Sequence, residues 1–180
     1  MNGTFQIRAA TVGDAEAIGT VGPAIYAESY GHMWDDAGSY ARYLASYGVA
    51  AVTLFMARAD THVWVAECGG TVIGFLTMVV GSPGPVEGLA SGAEVPRIYI
   101  LRPARGRGLG KAMIDIAEGV AAREGADHLW LDAMKAAPWA WQTYRKWGFR
   151  EIGSMEFPGG IGAEHREMVV MRREIGGRSA

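Results

Sequence analysis

The sequence predicts an α/β fold: a mixed, mostly antiparallel central sheet of about seven strands with helices on both faces. Three observations carry this. Runs with a two-residue apolar period alternate with runs of helical period. Their order is strand, helices, hairpin, strand, helix, strand, helix and two closing strands. A length of 180 residues, without an internal repeat, suits one domain and one core. The domain is expected over 4–173, with 174–180 as a frayed tail.

Each element has a local reason. Phe5–Ala9 alternates apolar and polar residues, as a half-buried strand does. Thr11 followed by Asp14 reads as a helix start in which the hydroxyl takes up free N–H groups. Ala15, Ile18 and Ile25 recur at helical spacing, and Gly22-Pro23 is expected to split that stretch into two short helices. Asp36 can cap the next helix, whose Tyr40, Tyr43, Leu44 and Tyr47 share a face. Val49–Arg58 is apolar and read as helical. Thr61–Glu67 and Thr71–Val80 flank Cys68-Gly69-Gly70 and make a β-hairpin.

Gly81–Ala93 is rich in Gly and Pro and forms a loop. Glu94–Leu101 is a strand. Leu109, Ala112, Met113, Ile116, Ala117, Val120 and Ala121 mark a helix that Gly125 ends. "HLWLDA" (His128–Ala133) is a strand, and Pro138 suits the first turn of a helix reaching Trp147. Phe149–Phe157 and Glu164–Arg172 form a closing antiparallel pair.

Composition narrows the function. A net charge of −2 gives no electrostatic reason to expect a nucleic-acid partner. No apolar run reaches membrane-span length, and the N-terminus lacks a signal-peptide layout, so no membrane partner is expected. The one cysteine, Cys68, cannot form an internal disulfide, which fits a reducing, cytoplasmic setting. His32, His62, His128 and His165 lack ligand spacing, so no metal is expected.

"RPARGRGLGK" (Arg102–Lys111) stands between a strand and a helix stripe. Free N–H groups and the helix dipole favour an anion there, and glycines allow close approach. The P-loop pattern fails, since Ala112 follows Lys111. The dinucleotide pattern fails too, because Gly106, Gly108 and Gly110 strictly alternate. Asp132 nevertheless lies about twenty residues on, where a ribose-binding acid would stand. A nucleotide-dependent oxidoreductase therefore stays open as a rival.

The pattern that fits is R-x-x-G-x-G, at Arg105, Gly108 and Gly110. Together with "EVPRIYILRPARGRGLGKAMIDIAEGVA" and "WQTYRKWGF", it resembles the GNAT superfamily of acetyl-CoA-dependent N-acetyltransferases. The resemblance runs from about Thr4 to Arg173. In "IYAESYGHMWDDAGSYARYL" and "RIYILRPARGRGLGK" the chain looks most similar to the bacterial spermidine/spermine acetyltransferase branch.

The resemblance implies a single-domain GNAT fold with splayed central strands, and Pro96, which cannot donate to a central ladder, agrees with that. It implies a transferase (an acyltransferase) moving acetyl from acetyl-CoA to a primary amine by direct attack. Backbone N–H groups of Arg105, Gly106, Arg107, Gly108, Leu109, Gly110 and Lys111 would hold the pyrophosphate. Those of Ile98, Tyr99 and Ile100 would hold the pantetheine arm and thioester carbonyl, where an N–H stabilises an oxyanion. Tyr144 would contact the cofactor and protonate the departing thiolate as general acid. Glu94 is expected as the base, the bland alternative being a solvated strand-end acid. Ala137 departs from the pattern, since many members carry a cofactor-contacting asparagine there. Lys111 or Lys146 would reach the 3′-phosphate.

The acceptor's expected walls include Glu28, Tyr30, Trp34 and Glu94, with Asp35, Asp36 and Glu87 as further acids that attract a cation such as a polyamine. Trp139 and Trp141 are candidates for the substrate side. The partner is then a small-molecule amine, and a homodimer is allowed. A non-catalytic CoA-binding sensor, or an enzyme acting on protein amines, stands as the alternative.

Overall fold

A computed structural model describes residues 4–89 and 91–176. The strands are β1 (Phe5–Ala9), β2 (Thr61–Cys68), β3 (Thr71–Val80), β4 (Ala93–Ile100), β5 (His128–Met134), β6 (Arg150–Glu156) and β7 (Glu167–Glu174). The helices are α1 (Ala15–Tyr30), α2 (Ala37–Ala45), α3 (Val49–Met56), α4 (Leu109–Arg123) and α5 (Pro138–Lys146). The seven strands form one sheet in the order β1-β2-β3-β4-β5-β7-β6. All neighbours are antiparallel except β4 and β5.

Two apolar layers sandwich the sheet. On one face Met113, Ile114, Ala117 and Ala121 of α4 pack on Leu76, Val95, Leu129 and Leu131. On the other, Ile18 and Tyr26 of α1, Tyr47 between α2 and α3, and Val52 of α3 pack on Val63, Val65 and Phe75. A third cluster joins Met33, Met134, Ala137, Phe157, Ile161 and Met168 at the end of the sheet. Among the described residues no helix is long and apolar enough to cross a membrane, and no group of three or more His, Cys, Asp or Glu could hold a metal.

The sequence expectation fails in a few places, each for a physical reason. Gly22-Pro23 does not split the first helix: α1 runs unbroken with Pro23 inside. A mid-helix proline costs about 3 kcal/mol. Ile18, Gly22, Ile25 and Tyr26 are buried on either side of it, and each large apolar side chain recovers roughly 1.5–3 kcal/mol. Burial outweighs the lost bond. On α4, Ile114 is buried and Ile116 is 38% exposed, so the buried stripe is 109/113/117/121 with 110/114 beside it. Residues 163–165 form a 3₁₀ turn and β7 begins only at Glu167.

The expected helix start is the 3₁₀ turn Val12–Asp14 that leads into α1, with Thr11 as its N-cap and Asp14 completing a capping box. The Asp14 carboxylate accepts from the Thr11 N–H at 2.7 Å and from the Thr11 hydroxyl at 2.9 Å. Arg8 donates to the same carboxylate at 2.7 and 2.8 Å and also pairs with Glu67. Of the expected tail, residues 177–180 lie outside the described residues. Glu174 still belongs to β7, and the Ile175 N–H donates to the Asp127 carbonyl at 2.9 Å.

Candidate active site

The site begins where β4 leaves β5. The two are parallel partners only at Ala93↔Leu129 and Glu94↔Trp130. Beyond Glu94, β4 stays on β3, but its register slips: Thr77 faces Arg97 while Val79 faces Glu94. Three steps on β4 match two on β3, which is a bulge over Val95-Pro96. Pro96 has no N–H to give, so the ladder breaks there at little cost.

The bulge also inverts side-chain parity. Val95 joins the α4 face, as do Ile98 and Ile100. Glu94, Arg97 and Tyr99 therefore share the opposite face, although their numbers do not alternate. Backbone polarity follows the same logic. The Leu101 N–H donates to the Ile73 carbonyl at 2.8 Å. Antiparallel alternation then turns the N–H of Tyr99 toward β3 and leaves those of Ile98 and Ile100 facing the gap. The Tyr99 side chain meets Tyr47 hydroxyl to hydroxyl at 3.0 Å. Of the three expected strand positions, Ile98 and Ile100 present N–H groups to the gap.

The glycine turn opens into the same gap. Gly106 and Gly108 hold φ of 76° and 79°, and a Cβ at either would meet nothing within 4 Å. These two are glycine because the backbone is left-handed there. Gly108 caps α4 with no side-chain bond, so the first-turn N–H groups have no side-chain acceptor, a setting that suits an anion. Gly110 has another reason, since a Cβ there would stand 2.5 Å from the Trp147 ring. Arg105 is fixed by Nε on the Ile100 carbonyl at 2.9 Å and by Glu28 at 3.4 Å. Arg107 lies over the Phe5 ring at 5.1 Å and does not line the cleft. Lys111 pairs with Asp115 at 2.6 Å.

The gap widens into a cleft of about 690 Å³. Its wall carries Tyr26, Tyr30, Tyr43, Tyr99, Trp139 and Phe157, and its acids are Glu94 and Asp132. Glu94 accepts from the Ser82 hydroxyl at 2.6 Å. Burial raises its pKa, against the Ser82 bond and a more distant Arg58. Burial, reinforced by the Glu94 charge, pushes Asp132 up to about 6. Neither acid has an ion-pair partner among the described residues.

Asp132, weighed from the sequence as a ribose-binding acid, instead shares this cleft with Glu94. The signal for it lay in "HLWLDA": Trp130, Asp132 and Met134 occupy one face of a strand whose neighbours on that face are apolar. Of the aromatic wall, Tyr30 and Trp139 agree with the expected acceptor side; Tyr43 was not expected there, because beside Tyr40 and Tyr47 it reads as the packing face of a helix.

Tyr144 lines the cleft from α5, with its ring against Trp147 and Phe149. Burial holds its phenol far above the usual value, with Tyr30 and Asp132 adding to that. Ala137 caps α5 with no side-chain bond and is fully buried. Trp139 is half-exposed, and its ring centroid lies 6.4 Å from that of Tyr30. Trp141 instead donates to the Lys135 carbonyl at 3.2 Å.

The other expected acceptor residues divide. Tyr30 lines the cleft; Glu28 and Trp34 do not. Glu28 pairs with Arg105 and Arg102 over the glycine turn. Trp34 stacks on Tyr40 and donates to the Tyr26 hydroxyl at 3.1 Å. Asp36 caps α2 through the Ser39 N–H at 2.6 Å, and Asp35 and Glu87 are off the cleft. His32 and His165 come within 6.4 Å, ring to ring. Cys68 is a half-buried free thiol at the hairpin.

Comparison with known proteins matches this architecture. The model of the acetyltransferase (GNAT) family matches residues 24–149. A search of curated proteins finds no match. Among solved structures, the PaiA N-acetyltransferase of Thermoplasma acidophilum, in complex with coenzyme A, is 18% identical with a TM-score of 0.75, covering 95% of this chain and 99% of its own. A GCN5-related N-acetyltransferase from Kribbella flavida is 24% identical with a TM-score of 0.66, covering 94% and 97%. The ribosomal-protein-alanine N-acetyltransferase of Brucella melitensis is 21% identical with a TM-score of 0.67, covering 94% and 99%.

Proposed function

Given that the chain belongs to the acetyltransferase (GNAT) family, we propose that it moves acetyl from acetyl-CoA to the primary amine of a small, polyamine-like cation. The observation that carries the acceptor class is the cleft itself. Glu94 and Asp132 line it without an ion-pair partner among the described residues, and eight aromatic side chains line it with them. Unpaired acids and aromatic faces both favour an alkylammonium.

The donor side is supported by the turn. The N–H groups of Gly106–Lys111 would receive the diphosphate, and the open space over Gly106 and Gly108 leaves room for it. The coenzyme A bound by the Thermoplasma acidophilum relative supports the same cosubstrate. The Ile98 N–H would meet the thioester oxygen as negative charge builds. Attack is direct, because no activated nucleophile lines the cleft among the described residues.

An ammonium near its usual pKa of ~10.4 must lose a proton before it can attack. Glu94, held in the cleft with a raised pKa, would take that proton. Tyr144 would supply one to the leaving thiolate, and burial keeps its phenol protonated until then.

A thiol-release screen tests this, with acetyl-CoA and polyamines, amino sugars, aminoglycosides, amino acids and N-terminal peptides. Release greatest with polyamines is expected. Release with peptides alone would remove the acceptor class. Thermal stabilisation by acetyl-CoA with no release from any amine would make the protein a sensor.

A further inference from the structure

Acetylating an ammonium requires more of the acceptor side than one base. The nitrogen begins with three protons and ends, as a secondary amide, with one. It loses two, while the sulfur gains one from Tyr144 as the C–N bond forms and the C–S bond breaks; of the two shed protons one restores the Tyr144 phenol and the other goes to solvent. One proton leaves before attack and the other as the tetrahedral adduct collapses. A lone carboxylate would have to discharge the first before taking the second.

We infer that Asp132 is the second proton acceptor of the transfer, so that Glu94 and Asp132 each take one of the protons the nitrogen sheds. The inference rests on the acetyl-transfer reading above. The placement is built into the sheet. Glu94 is the last residue of β4 to pair with β5, opposite Trp130. Asp132 stands two residues further along β5, on the same face as Trp130, where the strands have parted. Its pairing with Trp130 puts Glu94 on that face, and the bulge at Val95-Pro96 brings Arg97 and Tyr99 onto it further along.

The titratable groups acting on Asp132 from the surrounding elements are few. Glu94 comes from β4, Tyr43 from α2 and Tyr144 from α5. The β7 partner is the apolar Val170. Arg97, further along β4, is held away by Ser46 and by the Tyr47 ring. Neither acid has an ion-pair partner among the described residues, the more distant Arg58 acting on Glu94 alone, and the Glu94 charge raises the proton affinity of Asp132. Asp132, pushed up to about 6, is still ionised at neutral pH, as an acceptor must be.

The test is steady-state kinetics over pH for the wild type, Glu94→Gln, Asp132→Asn, Asp132→Ser and the Glu94→Gln/Asp132→Asn double variant. The amine is whichever of 1,4-diaminobutane, spermidine, glucosamine, glycine or an alanine-initiated peptide is acetylated fastest. Asp132→Asn should lower kcat by about 10²-fold, with acetyl-CoA affinity unchanged and a further loss in the double variant. The acid limb of kcat/KM should move to lower pH, because Glu94 loses its negative neighbour. The serine variant should behave alike, and serves if the asparagine variant misfolds. Wild-type kcat in either folded variant, a rise confined to KM, or an unmoved acid limb would overturn the inference alone. No transfer to any amine by the wild type would overturn the acetyl-transfer reading and this inference with it.

Discussion

Gly110 lies directly against the indole of Trp147: a Cβ at 110 would stand 2.5 Å from one ring carbon and 3.1 Å from another. The third glycine of the turn is thus a packing residue that lets α4 meet α5. The first two are conformational. Gly110→Ala should cost about 1–3 kcal/mol by overpacking. Gly108→Ala meets open space and should cost about 1–2 kcal/mol through its left-handed φ alone. Urea denaturation separates them: Trp147→Phe should relieve the first loss and leave the second.

Tyr144→Phe should retain the fold, because the Trp147 and Phe149 contacts belong to the ring. Turnover should fall by 10²-fold or more, on the order of a general acid's contribution. Acetyl-CoA affinity, measured by calorimetry, should stay near wild type. Equal turnover would remove the phenol from the mechanism.

Arg8, Asp14 and Glu67 tie β1, the start of α1 and β2 together. The Arg8 guanidinium holds the Asp14 carboxyl well below the usual carboxylate range, with Thr11 adding to it. A depressed folded pKa stabilises the fold above the unfolded value of about 3.9 and ceases to do so as pH falls through the folded value. Asp14→Ala should therefore cost about 2 kcal/mol at pH 7, from a lost cap and a lost partly buried pair. The gap to wild type should narrow only in strong acid. Chemical denaturation at pH 7, 4 and 2 checks the sign.

What could be read from the sequence, and what could not, divides by range. Strands, helices and the glycine turn are local, and period and turn chemistry gave them. Pro23 misled because the force holding α1 together comes from tertiary burial, which no local rule counts. Glu94 was reached through its spacing from the glycines, yet its sharing a face with Arg97 and Tyr99 depends on a bulge whose only trace was Pro96. Glu28 seemed an acceptor acid, but Arg105 and Arg102 claim it from across the chain. Asp132 was visible as an acid in an apolar strand face; the company of Glu94 needed the parting of β4 and β5.

The site acids should carry a stability penalty with a definite pH sign. Asp132 has its pKa raised to about 6 by burial and by Glu94, against about 3.9 in an unfolded chain. A raised folded pKa gives stability that is fully present below the unfolded value and is lost as pH rises through the folded one. Wild type should therefore weaken between about pH 4 and pH 6 through this group. Asp132→Asn carries no charge to desolvate and should not weaken in that window. Two pKa units correspond to nearly 3 kcal/mol at most; because some solvent reaches the cleft, a gain of about 1–2 kcal/mol at pH 8 is expected, and little at pH 4. Glu94→Gln should give a smaller gain of the same sign, since it removes the repelling neighbour. Denaturation of all three proteins at both pH values decides it. An Asp132→Asn difference that is the same at pH 4 and pH 8 would mean that the carboxylate is not desolvated, and that the acids of the cleft are ordinary surface groups.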